Sequence, residues 1–221
     1  SQPIVVEGWI NTETKKSFHK KSQNGVDGKT SGFQITKKFN TLKSNLAINN
    51  SEKKILTFDR SFFEYKSRNS VLGVGKINRN WSFSPNTSLI LSSNARPSDS
   101  IYFLTNRNES DNSLLSWTKL SSFEIFNSAL SNSSGIQNAM LLGIRAVFKP
   151  TYNLEFELVK TSQWGGNGNP KTLSALLNSI FGNTNDTKHS NINQLAGFGF
   201  SYSYPFEKKT IRTYAQFIGE D

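Results

Sequence analysis

The stretch FGFSYSYPF, residues 198–206, carries an aromatic side chain at every even position and Gly or Ser at positions 199, 201 and 203. Successive side chains of a β-strand point to opposite faces of the sheet, so the aromatic residues share one face and the small residues share the other. Soluble sheets rarely place such a row on one face without aliphatic residues between its members. The stretch therefore predicts a strand with one face in an apolar medium.

Other segments repeat this period of two. Leu154, Phe156 and Leu158 alternate with polar residues, and 142–149 and 211–217 alternate in the same way. We predict strands at 3–10, 32–40, 42–49, 54–66, 70–79, 100–106, 115–128, 139–149, 153–163, 193–204 and 210–218. Many of these are close to the roughly 9–11 residues of a membrane-spanning strand.

The predicted connections alternate between tight and long. The tight turns lie at 67–69, 149–152 and 205–209, and the long connections at 80–99, 129–138 and 164–192. Outer-membrane barrels have this asymmetry, with their long loops outside the cell. The pattern predicts an all-β fold, an antiparallel transmembrane β-barrel, in which 80–99 is one excursion folded over or into the lumen. On pattern alone, a soluble β-sandwich or jelly roll is the alternative.

One segment has a helical period. We predict a short loop helix at 170–181, because Pro170 suits a first turn and Gly182 suits a stop. Its apolar residues recur at i, i+3, i+4, i+7 and i+8: Leu173, Leu176, Leu177, Ile180 and Phe181. Because this face requires burial, we expect the helix over or inside the barrel mouth. We also expect Lys160, which continues the apolar face of its strand, to reach lipid phosphates at the rim.

Composition excludes several classes of protein. Aromatic residues make up 12% of the chain, which is too many for a disordered protein, and no apolar run approaches the length of a spanning helix. The mean hydropathy of −0.50 does not exclude a barrel, whose alternating strands average to a polar composition. The 26 Lys and Arg residues outnumber 16 Asp and Glu residues, giving a charge of +10 that suits anionic partners.

The residues of common catalytic and metal sites are sparse. The chain has no Cys, and its two His residues, His19 and His189, lie far apart. We therefore predict no metal and no cofactor. Glu155 and Glu157 share a face as paired catalytic carboxylates do, but at i and i+2 of a strand they are expected only to line the lumen. We expect no enzyme activity.

Three segments resemble one known family. They are GKINRNW at 75–81 leading into SLILSSNARP at 88–97, then KTSQWGGNGNP at 160–170 followed by NQLAGF at 193–198, and the ending YAQFIGED at 214–221. Together they are similar to the capsule assembly Wzi family, over roughly residues 55 to 221. The turn after Trp81 departs from the Gly-rich family pattern, and we recognise no motif of the family in residues 1–54.

The resemblance implies a large barrel of the bacterial outer membrane that binds and anchors capsular or extracellular polysaccharide. Eleven predicted strands do not make an even-numbered closed barrel, so we expect the single domain 1–221 to be part of a larger one. The implied partners are an anionic surface polysaccharide, outer-membrane lipid and lipopolysaccharide, with no role for nucleic acid. The alternatives are a diffusion porin and a soluble carbohydrate-binding β-sandwich.

Candidate sugar-binding residues lie where strands predicted to run outward come to an end. Sugar recognition needs flat apolar platforms, planar hydrogen-bonding groups and, for acidic sugars, a bidentate cation. The candidates are Arg79, Trp81, Asn94, Arg96, Gln163 and Trp164. Each has a structural alternative, since the Trp residues suit an interface belt and the Arg residues suit paired lumen charges.

Overall fold

The computed structural model describes residues 4–11, 30–51, 56–84, 87–92, 96–107, 116–130, 136–181, 193–207 and 209–220. The strands are β1 Ile4–Asn11, β2 Thr30–Phe39, β3 Leu42–Ser51, β4 Leu56–Thr57, β5 Phe62–Ser67, β6 Ser70–Lys76, β7 Asp99–Asn106, β8 Leu120–Ala129, β9 Met140–Thr151, β10 Leu154–Trp164, β11 Gln194–Phe206 and β12 Lys209–Glu220. In these ranges there is one helix, α1, at Leu173–Phe181, and Ser116–Thr118 forms a 3₁₀ turn. In the described ranges, no helix has the length and apolar character needed to cross a membrane.

All twelve strands belong to one antiparallel sheet. Each strand pairs with its neighbours along the chain, except that β5 pairs with β3 and the short β4 lies off this path against β3. The described parts of β1 and β12 form the two edges, so the sheet is open. The predicted all-β antiparallel fold is confirmed, and an open sheet fits part of a larger barrel.

Two predicted strands differ from the structure. The predicted strand 54–66 is divided into β4 and β5, because Arg60 has a φ of 73° and the chain turns there. A non-glycine residue in this left-handed region interrupts an extended strand. The predicted strand 115–128 starts only at Leu120, after the 3₁₀ turn.

The two ends of the sheet differ in their connections. The turns at 40–41, 68–69 and 152–153 join hairpins at one end, which we call the short-turn edge. The connections 77–98, 130–139 and 165–193 leave and re-enter the sheet at the opposite end, the loop edge. The described residues of 77–98 form no strand, and β6 pairs directly with β7. The prediction that this segment is one excursion is therefore confirmed.

The two faces of the sheet have different side chains. On β11, Phe198, Tyr202 and Tyr204 are exposed on one side, and Ser201 is buried on the other. The exposed side, here the outer face, carries large apolar residues on the other strands too: Phe63, Tyr65, Leu72, Val74, Ile101, Phe103, Phe156, Leu158, Ile211 and Phe217. The inner face carries the buried Tyr102 and Phe126 together with charged residues. The predicted aromatic row of 198–204 is confirmed.

The predicted position of the helix is wrong. Helix α1 packs on Leu142 and Trp164, which point to the outer face of β9 and β10, and therefore it does not lie in the barrel mouth. Leu176 and Ile180 contact this surface, whereas Leu173 remains exposed. The apolar pattern correctly predicted a helix that packs against the sheet. It could not decide which face of the sheet the helix packs against, because both faces carry apolar residues.

Candidate functional site

An inward-folded segment fills part of the inner face. Trp81, on the connection after β6, is only 1% exposed and packs edge-to-face on Phe126, with ring centroids 5.4 Å apart. Tyr102 and Val159 complete this buried cluster. Gly143 makes room for it, because a Cβ there would lie 2.2 Å from the Phe126 ring and 2.7 Å from the Trp81 ring. Because Gly143 has no side chain, there is space on the inner face of β9, and the Trp81 indole ring occupies it.

Glu124 of β8 holds the same segment through hydrogen bonds. Its Oε2 accepts from the Trp81 indole Nε1 at 2.7 Å, and its Oε1 accepts from Arg79 Nε at 2.7 Å. The Arg79 guanidinium also lies 3.9 Å from the centroid of the Phe126 ring. Burial lowers the pKa of Arg79 from its ordinary value, and the Glu124 carboxylate opposes that shift. Arg79 is thus a paired charge on the inner face.

Gln216 of β12 joins this segment to the wall of the sheet. Its Nε2 donates to the Trp81 carbonyl at 2.8 Å and to Glu157 Oε1 at 3.0 Å, and its Oε1 accepts from the Leu89 amide at 3.0 Å. Glu157 is fully buried and accepts two bonds from Arg145, at 2.7 and 2.9 Å. One amide side chain therefore holds two points of the segment 77–92.

Among the described candidate residues on the inner side, Arg96 is the most accessible. It binds Asp59 with two hydrogen bonds, from Nε at 3.0 Å and from Nη2 at 3.3 Å. The side chain of Asp59 is 1% exposed, whereas that of Arg96 is 47% exposed. A guanidinium has five N–H donors, and Asp59 accepts from two of them, so Arg96 can still donate to a ligand. Its position before β7 places it at the loop edge.

The remaining candidates do not all join that cluster. Trp164 lies on the outer face, where it is buried against α1 and donates from Nε1 to Asn127 Oδ1 at 3.0 Å. Gln163 is half-buried at the end of β10, and its backbone N–H donates to the Asn193 carbonyl. Asn94 lies outside the described residues. The structure brings together Arg79 and Trp81 and leaves Trp164 on the opposite face.

A basic cleft on the inner face was not predicted. It has a volume of about 420 Å³, and its lining includes four cationic residues, Lys38, Lys43, Arg60 and Lys76, with Glu7 near Gln34. The register of the hairpin places Lys38 directly opposite Lys43. The two-residue turn at 40–41 between β2 and β3 fixes this register.

The two carboxylates on β10 are engaged by arginine. Arg212 Nη2 donates to Glu155 Oε2 at 2.6 Å, as Arg145 does to Glu157. These ion pairs fit the predicted lumen-lining role better than a catalytic pair, which needs one carboxyl able to release or take up a proton. Within the described ranges, there is no group of three or more His, Cys, Asp and Glu side chains that could hold a metal ion. Lys160 also differs from expectation, because its Nζ donates to the Ile180 carbonyl at the end of α1.

Comparison with known proteins agrees with the fold and the motifs. The family model described as capsule assembly protein Wzi matches residues 6–221. A protein of the capsule region of Klebsiella pneumoniae, described as an uncharacterized 55.8 kDa protein, is 31% identical over 109 residues, which are 48% of this chain and 22% of that protein. The chain is also similar to the solved structure of Wzi from Escherichia coli, described as a carbohydrate-binding β-barrel and an outer membrane protein involved in group 1 capsule assembly.

The match to that structure extends along the whole sheet. It has a TM-score of 0.72 and 21% identity, and covers 99% of this chain and 48% of the solved one. The chain thus spans about half the length of the solved structure it matches. The resemblance carried by the segments at 75–97, 160–198 and 214–221 is confirmed, and the chain belongs to the Wzi family of capsule assembly proteins.

Proposed function

We propose that this chain forms part of an outer-membrane β-barrel that holds an acidic capsular polysaccharide at the cell surface without converting it chemically. Family membership supports the role in capsule assembly. The observation that carries the proposal is the segment 77–98, which is fixed to the inner face at Trp81 and Arg79 and presents the half-exposed Arg96 at the loop edge.

The distribution of exposed aromatic residues supports placement in a membrane. Near the short-turn edge the outer face and its turns carry exposed aromatic side chains at strand ends: Phe39, Tyr65, Trp117, Tyr152, Tyr204 and Phe206. Transmembrane barrels carry such aromatic girdles where hydrocarbon meets water. A soluble sandwich would have to expose this row to water. The apolar outer face and the girdle together favour lipid and lipopolysaccharide as neighbours of the barrel.

The inner face favours a binding protein over a diffusion porin. Trp81, Ile90 and Leu91 pack against the wall formed by Tyr102 and Phe126. A porin needs a water-filled lumen, whereas this segment fills the space beside the wall. The basic cleft on β2 and β3 suits an acidic glycan better than a neutral solute.

The proposed contact is a bond between the Arg96 guanidinium and a carboxylate of the glycan. Asp59 fixes the Nε side of the fork, and the exposed part of the guanidinium gives a charge-assisted grip on a uronate or pyruvate carboxylate. Asn94 and Gln163 remain candidates for hydroxyl contacts, and Arg79 and Trp81 hold the segment in position. Because the Trp164 ring is buried, we expect Trp164→Ala to lower stability rather than glycan affinity.

Capsule retention tests the site. Replacing Arg96 alone would leave the buried Asp59 carboxylate without the guanidinium that binds it, so the test uses the double variant Asp59→Asn/Arg96→Gln, which keeps a neutral pair. The matched control is Glu155→Gln/Arg212→Gln, which removes a second partly exposed inner-face pair, towards the short-turn edge. We expect the first variant to release capsule into the medium with synthesis unchanged, and the control to retain it.

Binding of purified acidic glycan gives a second measurement. Added salt should weaken binding to the wild-type protein, because partly exposed charge pairs are screened. The Asp59→Asn/Arg96→Gln variant should bind more weakly and respond less to salt. If that variant is inserted correctly and keeps both its capsule and its salt response, Arg96 is not the contact and the fold assignment is unaffected.

A further inference from the structure

Helix α1 has apolar residues on two sides. Ala175 is buried, and Leu176 and Ile180 pack against the outer wall of the sheet. Three other residues, spaced i, i+4 and i+8, form a second stripe that is exposed: Leu173 is 72% exposed, Leu177 42% and Phe181 80%. Residues with this spacing lie along one side of a helix. A helix docked on a water-exposed wall would be expected to have polar residues on that side.

Side-chain hydrogen bonds cap α1 at its start and fasten it to the sheet at its end. At its start, Thr172 Oγ1 accepts a hydrogen bond from the Ala175 amide at 3.2 Å, as an N-cap does. At its end, Lys160 Nζ donates to the Ile180 carbonyl at 3.1 Å, where a cation also interacts favourably with the helix dipole. Lys160 belongs to β10, so this bond fastens the helix to the outer wall. The exposed stripe is thus held in a fixed direction.

The stripe continues into the apolar outer face of the sheet. Leu158 lies two residues from Lys160 on the same face of β10, about 7 Å along the strand. Leu158 is paired with Phe198 of β11, and both side chains are about half exposed. The C-terminal end of α1, with Phe181, therefore adjoins the surface that a membrane barrel turns towards hydrocarbon.

We infer that α1 is a membrane-surface helix, with Leu173, Leu177 and Phe181 in contact with lipid acyl chains of the leaflet at the loop edge. The inference rests on the outer-membrane placement proposed above. An amphipathic helix lies in the interface when an apolar stripe is available to the acyl region. The bond to α1 also explains how Lys160 is accommodated on the outer face, where an unpaired ammonium in hydrocarbon is costly.

Site-specific labelling tests this contact. These 221 residues contain no Cys. With any Cys elsewhere in the full-length protein replaced by Ser, single variants can carry an environment-sensitive fluorophore. The labelled positions are Leu177→Cys and Phe181→Cys on the stripe, Leu158→Cys on the outer face as the lipid reference, and Asn167→Cys in the exposed loop before α1 as the water reference. The full-length protein is reconstituted in vesicles that contain phospholipid with a nitroxide on the acyl chain, and iodide is added to the water.

We expect the nitroxide to quench the labels at 158, 177 and 181, and iodide to quench only the label at 167. If iodide quenches the labels at 177 and 181 while the 158 label remains accessible to the nitroxide, α1 faces water and the inference is wrong, although the barrel is in the membrane. If neither quencher reaches 177 and 181, protein covers the stripe and the inference is again wrong. If iodide quenches the 158 label, the outer face is exposed to water, and both the outer-membrane placement and the inference about α1 are wrong.

Discussion

At the scale of single residues, the two glutamates of β10 differ in burial although they have the same kind of partner. Glu157 is fully buried and bonded to Arg145, whereas the pair of Glu155 and Arg212 is partly exposed. We expect Glu157→Ala to lower the free energy of unfolding by about 3–5 kcal/mol, because it leaves Arg145 without its buried partner. Denaturant unfolding of the reconstituted protein measures this loss.

The control for this prediction is Glu155→Ala on the same strand. A partly exposed pair contributes little, so its removal should cost about 1 kcal/mol or less. Equal losses for the two variants would contradict the prediction, since they would show that burial on the inner face does not determine the strength of these pairs.

A second residue-scale prediction concerns the gap that accommodates Trp81. Gly143→Ala would place a Cβ 2.2 Å from the Phe126 ring, so the rings must shift, and overpacking of this kind costs about 1–3 kcal/mol. Near-ultraviolet circular dichroism should report the changed environment of Trp81, and thermal unfolding should report the loss of stability. Gly219→Ala, whose added Cβ would have its nearest neighbour 3.9 Å away, should change neither. An unaltered aromatic spectrum for Gly143→Ala would rule out the close packing described here.

At the scale of elements, the strands could be predicted from the sequence, but the position of the helix could not. A period of two follows directly from a sheet with one apolar face, and β11 confirms it from Phe198 onward. The apolar residues of α1, in contrast, cover two sides of the helix. Their pattern indicates that the helix packs against an apolar surface, but it does not identify that surface. The predicted strand 54–66 is interrupted at Arg60, whose backbone is left-handed. The sequence did not indicate this interruption, because a left-handed Arg does not change the spacing of the apolar residues.

The candidate site was predictable only in part, for a similar reason. Arg79 and Trp81 meet Glu124, which is more than forty residues away along the chain. The residue types suggest sugar binding for both, with a paired lumen charge as the alternative for Arg79 and an interface belt as the alternative for Trp81. Only the partners that each residue has in the fold separate these interpretations. The sequence alone did not indicate the basic cleft, because Lys38 and Lys43 are separate along the chain and only the hairpin register places them opposite each other.

An element-scale prediction follows from the three bonds of Gln216. Gln216→Leu keeps the size of the side chain but removes its bonds to the Trp81 carbonyl, the Leu89 amide and Glu157. We expect faster hydrogen exchange throughout 77–92, because the segment loses its attachment to β12. Thr213→Val, on the outer face of the same strand, is the control and should leave this exchange rate unchanged. Equal protection in the Gln216→Leu protein would mean that packing of Trp81 alone holds the segment.

At the scale of the whole molecule, the sheet separates two environments. The inner face carries the ion pairs of Glu124 and Glu157. The outer face carries exposed apolar residues, with the aromatic girdle near the short-turn edge. In water this arrangement would expose the apolar surface and bury the charges, which reverses the usual distribution. In a bilayer the same arrangement places each face in the medium that suits it.

This separation predicts that the cost of a charge on the outer face depends on depth. Phe200 is the central residue of β11, which spans Gln194–Phe206, and it shares the outer face with Phe206 at the short-turn edge. Phe200→Arg should therefore destabilise the protein in vesicles by about 2–4 kcal/mol, as expected near the bilayer midplane, and Phe206→Arg by about 0–1 kcal/mol, because it reaches the interface. Urea titrations of folding into vesicles of fixed thickness compare the two variants directly. In a soluble sheet both side chains would face water, so the two variants would have no reason to differ. Equal small losses of stability would therefore contradict the placement of this sheet in a membrane.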